Sequence, residues 1–169
     1  LPNLRNYQID GYKWLSSLAK YNFGGILADD MGLGKTLEII SFIKSDEKQM
    51  PSLIVCPMSL VYNWENECYK WNVNCDVKVV LGSVEEREAL VTNIDDNKKA
   101  LYITSYDSLR RDVNLYTNKF RYVIADEAQF IKTHTTAAAK SVKTIRAIHK
   151  FALTGTPIEN SLAELWSIF

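Results

Sequence analysis

A phosphate-binding pattern lies near the start of the chain, directly after a short apolar run. Residues 28–36 read A-D-D-M-G-L-G-K-T. Two glycines, Gly32 and Gly34, allow backbone N–H groups to turn inward around an anion, and the helix expected next adds the positive end of its dipole. Lys35 would reach the β- and γ-phosphates, and the Thr36 hydroxyl would bind Mg²⁺. The pattern predicts a site for a nucleoside triphosphate.

Two adjacent acids follow an apolar run later in the chain. Residues 123–129 read V-I-A-D-E-A-Q. An Asp at the carboxyl end of a strand beside a phosphate loop can hold Mg²⁺ through its water shell, and the next Glu can polarise the attacking water. Asp126 and Glu127 fit these roles. Such a pair alone is more often a solvated strand end, but its combination with the phosphate-binding pattern favours the catalytic interpretation.

The length and composition fit one α/β domain. The chain has 169 residues and is 47% hydrophobic, which suffices for one well-buried domain and is short for two. Apolar runs alternate with helical periods, a pattern typical of a parallel β-sheet sandwiched by helices. We therefore expect a single domain over residues 1–169. The predicted strands are residues 25–28, 52–56, 77–81, 100–104, 121–125 and 150–153.

Two helices can be predicted with their packing faces. The first covers residues 7–20, with Gly11 allowing close approach of a neighbour. The second follows Pro57, with Ser59 as its N-cap. The apolar stripe of this second helix comprises Val61, Trp64, Cys68 and Trp71. We interpret these aromatic residues as core rather than as ligand contacts.

Polar segments follow five of the predicted strands. In a parallel sheet, ligands bind beyond the carboxyl ends of the strands. These segments are residues 29–36, 56–59, 104–107, 126–129 and 153–157. We expect them to meet at one rim of the sheet.

The charge is unevenly distributed. The formal net charge is zero, which alone argues against a protein that coats nucleic acid. Between Lys98 and Lys150, however, the chain has eleven Lys or Arg and only four Asp or Glu. This local excess of positive charge predicts a basic surface on the second half of the chain. The candidates are Arg110, Arg111, Lys119, Arg121, Lys132 and a helix over residues 135–146 with Lys140, Lys143 and Arg146. For any single lysine, a solvated helix surface is the more common explanation.

The compartment is also indicated by the sequence. No apolar stretch approaches the roughly 20 residues of a membrane span, and the first residues have no signal-peptide character. The three cysteines form no C-x-x-C pair, so we expect reduced, structural thiols. The expectation is a cytosolic or nuclear protein with no membrane partner.

Six ordered motifs resemble those of the SWI/SNF-type ATPases, which are superfamily-two DNA translocases related to helicases. They extend from Leu4 to Phe169. The motifs are L-R-N-Y-Q with Gly11 and Trp14-Leu15, D-D-M-G-L-G-K-T, I-V-C-P-M-S-L-V-Y-N-W, I-T-S-Y-D-S-L-R-R-D, D-E-A-Q-F-I-K-T and A-L-T-G-T-P-I-E-N-S-L-A-E-L-W-S-I-F.

The resemblance implies a RecA-like P-loop NTPase lobe, the first of two, with ATP and Mg²⁺ as cofactors. It implies double-stranded DNA and a C-terminal RecA-like lobe of the same parent chain as partners, together with a protein target on DNA that the sequence does not identify. The implied activity is ATP-driven movement along duplex DNA that remodels protein–DNA complexes.

The resemblance also assigns roles to residues. The implied nucleotide-binding residues are Arg5, Gln8, Asp29, Gly32, Leu33, Gly34, Lys35 and Thr36, with Gln8 reading adenine. The implied metal-binding residues are Thr36 and Asp126, and the implied catalytic residues are Lys35, Glu127 and Gln129. The residues implied to couple the nucleotide state to DNA are Thr154, Gly155 and Thr156. The residues implied to contact nucleic acid are Pro57, Ser59, Asn63, Ser105, Tyr106 and Lys132.

Two positions depart from common patterns. Asp29 stands where the strict phosphate-binding motif has glycine. Gln129 replaces the histidine of the familiar D-E-A-H box; it cannot titrate, but it can bridge the nucleotide site and the coupling segment by hydrogen bonds. The D-E-A-Q-x-I-K variant is similar to prokaryotic members. We therefore expect a nucleoid-associated cytoplasmic protein, or a nuclear one if the source is eukaryotic.

The sequence stops directly after the coupling motif, whereas the family needs a second lobe with an arginine that stabilises the transferring phosphoryl group. Losing such an arginine costs about 10³ to 10⁵ in rate in other phosphate-cleaving enzymes. We expect the isolated lobe to bind Mg-ATP weakly and to hydrolyse it negligibly. Two alternatives remain at this point: a strand-separating helicase, and a nucleotide-gated binding module without hydrolysis.

Overall fold

A computed structural model describes residues 3–21, 24–28, 34–134 and 136–155, without the side chains of residues 28, 132–134 and 136. Six strands form one sheet in which every pairing is parallel. The strands are β1 (Gly25–Ala28), β2 (Ser52–Cys56), β3 (Asp76–Val79), β4 (Ala100–Ser105), β5 (Lys119–Ala125) and β6 (Arg146–Thr154). The predicted parallel α/β fold is confirmed.

The strand order brings the predicted polar segments to one edge. The order is β1-β6-β5-β2-β4-β3, so β6 lies between β1 and β5. Ala28 pairs with Thr154, and Cys56 pairs with Ser105. Because all strands run in the same direction, the carboxyl ends of β1, β2, β4, β5 and β6 lie at the same rim of the sheet.

Helices cover both faces of the sheet. They are α1 (Asn6–Lys20), α2 (Lys35–Ser45), α3 (Val61–Lys70), α4 (Val84–Thr92), α5 (Tyr106–Asp112), α6 (Gln129–His134) and α7 (Thr136–Thr144), with 3-10 turns at Met58–Leu60 and Val113–Leu115. Helices α1, α2 and α3 pack in one core layer, and α4, α5, α6 and α7 pack in the other.

Alternate residues of each strand enter the two layers. In β2, Leu53 and Val55 contribute to the layer of α4 to α7, whereas Ile54 and Cys56 contribute to the layer of α1 to α3. All five residues of β2 are buried. This burial on both faces explains why the central strands read as continuous apolar runs.

Strand β6 is longer than the sequence predicts. It begins at Arg146 rather than at residue 150, and the helix predicted over residues 135–146 ends at Thr144. Polar residues alternate irregularly with Ala147 and Ile148 in the amino half of β6, so its composition hides the strand. His149 is nevertheless buried, and its ring stacks on Tyr122 and Phe151 at centroid distances of 5.6 and 6.3 Å.

The prediction that Ser59 caps the second helix is wrong. A 3-10 turn over Met58–Leu60 comes first, and Leu60 occupies the N-cap of α3 without a side-chain cap. The Leu60 N–H donates to the Pro57 carbonyl at 2.9 Å, which tightens the chain before α3 begins. Ser59 is therefore an exposed residue of this turn.

The predicted close packing at Gly11 is confirmed. A Cβ at this position would lie 2.3 Å from a carboxylate oxygen of the buried Glu38 on α2. The neighbouring Trp14 is 39% exposed, and its ring lies across Gly25, where a Cβ would meet it at 2.8 Å. Both glycines let α1 approach closely, one against α2 and the other against β1.

All three cysteines are free thiols. Cys56 and Cys68 are fully buried, and Cys75 is half-buried. Burial raises the pKa of Cys56 well above its ordinary range and that of Cys68 to about 12. Both buried thiols stay protonated at neutral pH and serve as small apolar side chains of the core.

Candidate functional site

The amino end of α2 forms one wall of the site. Gly34 is its N-cap, with a φ of 81° in the left-handed region that favours glycine. Lys35 and Thr36 follow as the first residues of this 11-residue helix. The helix dipole and the N–H groups of its first turn favour an anion here. The other predicted members of the loop, Asp29, Gly32 and Leu33, lie outside the described residues.

Gln8 joins the start of α1 to this loop. It is buried, and its Oε1 accepts a 2.9 Å hydrogen bond from the Arg5 N–H. Its Nε2 lies against Gly34 so closely that a Cβ there would be 2.3 Å away. Gln8 therefore lies beside the phosphate-binding turn, while the Arg5 residue itself is exposed.

Asp126 follows the last residue of β5 and is held by hydrogen bonds on both carboxylate oxygens. Its Oδ2 accepts from Trp64 Nε1 at 2.8 Å, and its Oδ1 accepts from the Glu127 N–H at 2.8 Å. Burial raises the pKa of Asp126, and the two hydrogen bonds and the charge of Lys35 oppose that rise. A nearby cation would reduce the cost of burying this carboxylate.

Glu127 has an uncommon backbone conformation. Its φ is 48°, in the left-handed region that a non-glycine residue adopts at a cost of about 1–2 kcal/mol. The chain turns sharply after Asp126, and the Ala128 N–H donates to the Leu153 carbonyl at 2.8 Å. This strained turn, fixed to the end of β6, sets the position of the Glu127 side chain.

A chain of hydrogen bonds runs from β6 to Glu127. The Thr154 hydroxyl donates to Gln129 Oε1 at 2.8 Å, and Gln129 Nε2 donates to Glu127 Oε2 in a very short hydrogen bond. The bridge predicted for Gln129 is therefore present. Gly155 is half-exposed, and Thr156 lies outside the described residues.

A cavity of about 420 Å³ lies between these elements. The described residues that line it are Gln8, Gly34, Lys35, Thr36, Leu37, Leu60, Asn63, Glu67, Trp71, Asp126 and Glu127. It brings together the start of α1, the start of α2 and the end of β5. The predicted nucleotide-site residues that the structure describes, apart from Arg5, thus meet around one space.

The donor set fits Mg-ATP. The start of α2 suits phosphates, and Asp126 and Thr36 offer oxygen ligands on the same cavity. Within the described ranges, no group of three or more His, Cys, Asp or Glu side chains could hold a metal ion. Proteins usually bind Mg²⁺ through one or two carboxylates together with substrate phosphates and water, and Asp126 can supply such a carboxylate.

The side chains of Ser105 and Tyr106, two of the predicted nucleic-acid contacts, are buried and hydrogen-bonded within the described structure. Ser105 is buried and caps α5 by accepting from the Ser108 N–H at 3.1 Å. The Tyr106 hydroxyl donates to the Asp126 backbone oxygen at 2.6 Å, and the residue is 2% exposed. Both side chains serve internal contacts at the end of β4.

The other predicted DNA contacts differ among themselves. Ser59 is exposed and Pro57 is half-exposed after β2, so both remain available to a ligand. Asn63 is exposed but lines the cavity beside Lys35, which places it at the nucleotide side. The side chain of Lys132 lies outside the described part of the structure.

The predicted basic face is divided between two ends of the sheet. Lys119 and Arg146 pair at the amino ends of β5 and β6, far from the site rim. Arg121 also lies at the amino end, and its Nε donates to Asp46 at 2.8 Å. Arg110 and Arg111 are exposed on α5, nearer to the rim. The residues chosen from charge counting therefore do not form one surface.

Trp64 contacts a residue of the candidate site, although the sequence predicts only a core position for it. It is buried as predicted, but its indole N–H is bound to Asp126. A buried Trp usually finds an acceptor for its N–H, so the sequence does indicate that Trp64 has a hydrogen-bond partner. The two residues are 62 positions apart, so the sequence did not identify the acceptor.

No helix within the described ranges is long and apolar enough to cross a membrane.

The chain is similar in sequence to several known proteins. A family model described as the SNF2-related domain matches residues 7–169. An "Uncharacterized ATP-dependent helicase" of Mycoplasma pneumoniae is 43% identical over 175 residues, covering 100% of this chain and 17% of that protein. The TATA-binding protein-associated factor MOT1 of Saccharomyces cerevisiae is 42% identical over 182 residues, covering 98% of this chain and 10% of that protein.

A solved structure of a related protein has the same fold as this chain. The Sulfolobus solfataricus SWI2/SNF2 ATPase core in complex with dsDNA matches with a TM-score of 0.83 and 41% identity. The match covers 98% of this chain and 35% of that chain. The chain thus spans about a third of this structural relative and 10% to 17% of the two curated relatives.

Proposed function

The chain belongs to the SNF2-related family, and from this we propose that it is the ATP-binding lobe of a DNA-dependent ATPase that translocates on double-stranded DNA and remodels protein–DNA complexes. The observation that carries the proposal is the shared cavity. In it, the start of α2 with Lys35 and Thr36 meets the acids Asp126 and Glu127.

Each side chain has a role that follows from its chemistry. Lys35 and the first turn of α2 bind the β- and γ-phosphates, and Gln8 orients the base. Thr36 and Asp126 would hold Mg²⁺, which neutralises developing charge on the phosphate oxygens when bound. Glu127 polarises the attacking water, and Gln129 fixes the Glu127 carboxylate by the hydrogen bond from its Nε2.

The coupling and DNA roles are part of the same proposal. The Thr154 to Gln129 hydrogen bond would carry the nucleotide state to the end of β6, where Gly155 and Thr156 follow. Duplex DNA would lie along the exposed residues after β2, including Pro57 and Ser59. The Sulfolobus solfataricus SWI2/SNF2 ATPase core was solved in complex with dsDNA, which supports this partner.

A second RecA-like lobe would complete the catalytic site. In the family it supplies an arginine to the transferring phosphoryl group, a contribution worth about 10³ to 10⁵ in rate in comparable enzymes. We therefore expect residues 1–169 alone to bind Mg-ATP weakly and to hydrolyse it negligibly. The compartment proposed is that of the chromosome, the nucleoid in a prokaryote or the nucleus in a eukaryote.

The test is ATP hydrolysis by the whole protein without nucleic acid, with single-stranded DNA and with duplex DNA, with Glu127→Gln as the blank. We expect strong stimulation by duplex DNA and only the blank rate in Glu127→Gln. Turnover at the blank level in every condition, with ATP still bound, would instead support a nucleotide-gated binding module. Strand displacement on blunt and tailed duplexes would identify a true helicase.

A further inference from the structure

Two buried aromatic side chains hold Asp126 from opposite faces of the sheet. Trp64 on α3 is 1% exposed and donates to the Asp126 carboxylate at 2.8 Å. Tyr106, the first residue of α5, donates to the Asp126 backbone oxygen at 2.6 Å. Trp64 belongs to the core layer of α1 to α3, and Tyr106 belongs to the other layer. Each layer thus contributes one hydrogen bond to this residue.

The hydrogen bond from Trp64 restricts the carboxylate. An ionised carboxylate has about four acceptor positions, two on each oxygen. Trp64 uses one position on Oδ2, and the Glu127 N–H uses one on Oδ1. Rotation of the carboxylate would break both bonds, so its plane is fixed with two acceptor positions remaining. An indole N–H is a donor only and does not titrate near neutral pH, so this constraint is the same throughout that range.

The bond from Tyr106 restricts the backbone where the chain turns. The Asp126 carbonyl precedes Glu127, whose φ is positive. The Tyr106 ring also stacks on Phe130 of α6, with centroids 5.7 Å apart and ring planes at 19°. Tyr106 therefore fixes both sides of the turn that presents Asp126 and Glu127.

We propose that Trp64 and Tyr106 are positioning residues for the hydrolysis reaction, which set the orientation of Asp126 toward Mg²⁺ without touching the nucleotide. This inference rests on the proposed function. It assigns a role in metal binding to two residues whose sequence context indicates core packing and DNA contact.

The test is the dependence of ATP hydrolysis on Mg²⁺ concentration in the whole protein, with duplex DNA present. Trp64→Phe keeps a buried aromatic ring and removes the donor. We expect the half-saturating Mg²⁺ concentration to rise about 10-fold, as when residues that orient a metal ligand are lost. Turnover should recover largely at high Mg²⁺. Tyr106→Phe should raise the half-saturating concentration by a smaller factor, because its bond is to the backbone.

Two variants serve as matched structural controls. Cys68→Ala removes a fully buried side chain from the same helix as Trp64, and Tyr122→Phe removes a tyrosine hydroxyl that donates to Asp46. Both should lower the thermal unfolding temperature and leave the half-saturating Mg²⁺ concentration unchanged. A loss of packing alone would therefore not imitate the expected result.

The outcomes separate this inference from the proposed function. A wild-type protein without Mg²⁺-dependent ATP hydrolysis would contradict the proposed function itself. An active wild type with an unchanged half-saturating Mg²⁺ concentration in Trp64→Phe would overturn the positioning role. If Trp64→Phe does not fold, Tyr106→Phe decides in the same way.

Discussion

Thr154 and Gln129 connect the end of β6 to the start of α6 through a 2.8 Å hydrogen bond from the Thr154 hydroxyl to Gln129 Oε1. Gln129 can accept this bond through its oxygen and donate to Glu127 through its nitrogen at the same time. A histidine at this position would titrate near neutral pH, whereas glutamine does not. The Gln129 side chain therefore offers the same donor and the same acceptor throughout the physiological pH range.

The hydrogen bond from Thr154 to Gln129 should be measurable as a coupling energy in a double-mutant cycle. Thr154→Val keeps the side-chain shape and removes the donor, which should lower the free energy of unfolding by about 1 kcal/mol. Gln129→Met removes the acceptor. The double variant should be less destabilised than the sum of the single variants by at least about 0.5 kcal/mol. Urea unfolding of the four proteins measures this difference, and strictly additive values would contradict the bond.

Gly34 should be required for ATP binding as well as for folding. Alanine in a left-handed conformation costs about 1–2 kcal/mol, and a Cβ at Gly34 would lie 2.3 Å from Gln8 Nε2. In Gly34→Ala, the Gln8 side chain must move away from the phosphate-binding turn. We expect ATP affinity to fall about 10-fold, equivalent to about 1.4 kcal/mol, as measured by calorimetric titration with Mg-ATP.

Gly82 offers a matched control for this variant. Its φ is 101°, and an added Cβ would lie 2.2 Å from a carboxylate oxygen of Glu86, the residue that caps α4 together with Ser83. Gly82→Ala should lose a similar amount of stability, yet retain wild-type ATP affinity. Equal losses of affinity in the two variants would show that general strain, and not the contact with Gln8, is responsible.

The sequence predicted the fold because burial on both faces of a parallel sheet leaves a direct mark on composition. The predicted bounds of β1 and β2 agree with the structure. The part of β6 before Lys150 was missed because Arg146 and His149 interrupt its apolar pattern. What makes this segment a strand is pairing with β5, in which Lys119 lies beside Arg146. Such pairing depends on residues distant in the sequence.

The sequence predicted the residues of the candidate site that belong to local motifs, but not the contacts that join distant segments. Motif spacing identified Lys35, Asp126 and Glu127, because phosphate and metal chemistry requires particular residue types at fixed local positions. It did not identify the contacts of Trp64 and Tyr106 with Asp126, since each contact joins separate strands and helices. Tyr106 follows a strand end, as a ligand-binding residue would, but packing turns its hydroxyl toward the backbone.

Asp46 should make folding stability depend on acid pH. Burial raises its pKa, but hydrogen bonds from Arg121, Tyr122 and the Lys48 N–H outweigh this, so the pKa lies below its ordinary value of 3.8. The ionised carboxylate therefore stabilises the fold above about pH 3.8, and this contribution is lost as the pH falls through the lower folded pKa. Asp46→Asn should cost about 2 kcal/mol at neutral pH.

Urea unfolding at several pH values measures this dependence. The difference in stability between wild type and Asp46→Asn should be constant from neutral pH to about pH 4 and should shrink below it. Asp76→Asn is the control, because Asp76 also pairs with a cationic side chain, that of Lys98, but both of these side chains are more than half exposed. The loss of stability in Asp76→Asn should be much smaller than that in Asp46→Asn. A difference for Asp46→Asn that does not change with pH would contradict the assignment.

Arg87 and Asp112 form a buried pair that joins α4 to α5. Arg87 donates to the two Asp112 oxygens at 2.6 and 3.1 Å and to the Gly82 carbonyl at 2.7 Å. Asp112→Ala would leave the guanidinium buried without its partner, at a cost of about 3 kcal/mol, whereas replacing both residues in Arg87→Met/Asp112→Leu should restore most of that loss. Thermal and urea unfolding measure both. Breaking the exposed pair of Lys98 and Asp76 should change stability much less, because solvent screens it. If Asp112→Ala cost no more than breaking that exposed pair, the buried pair would not be what holds α5, and with it Tyr106, in place.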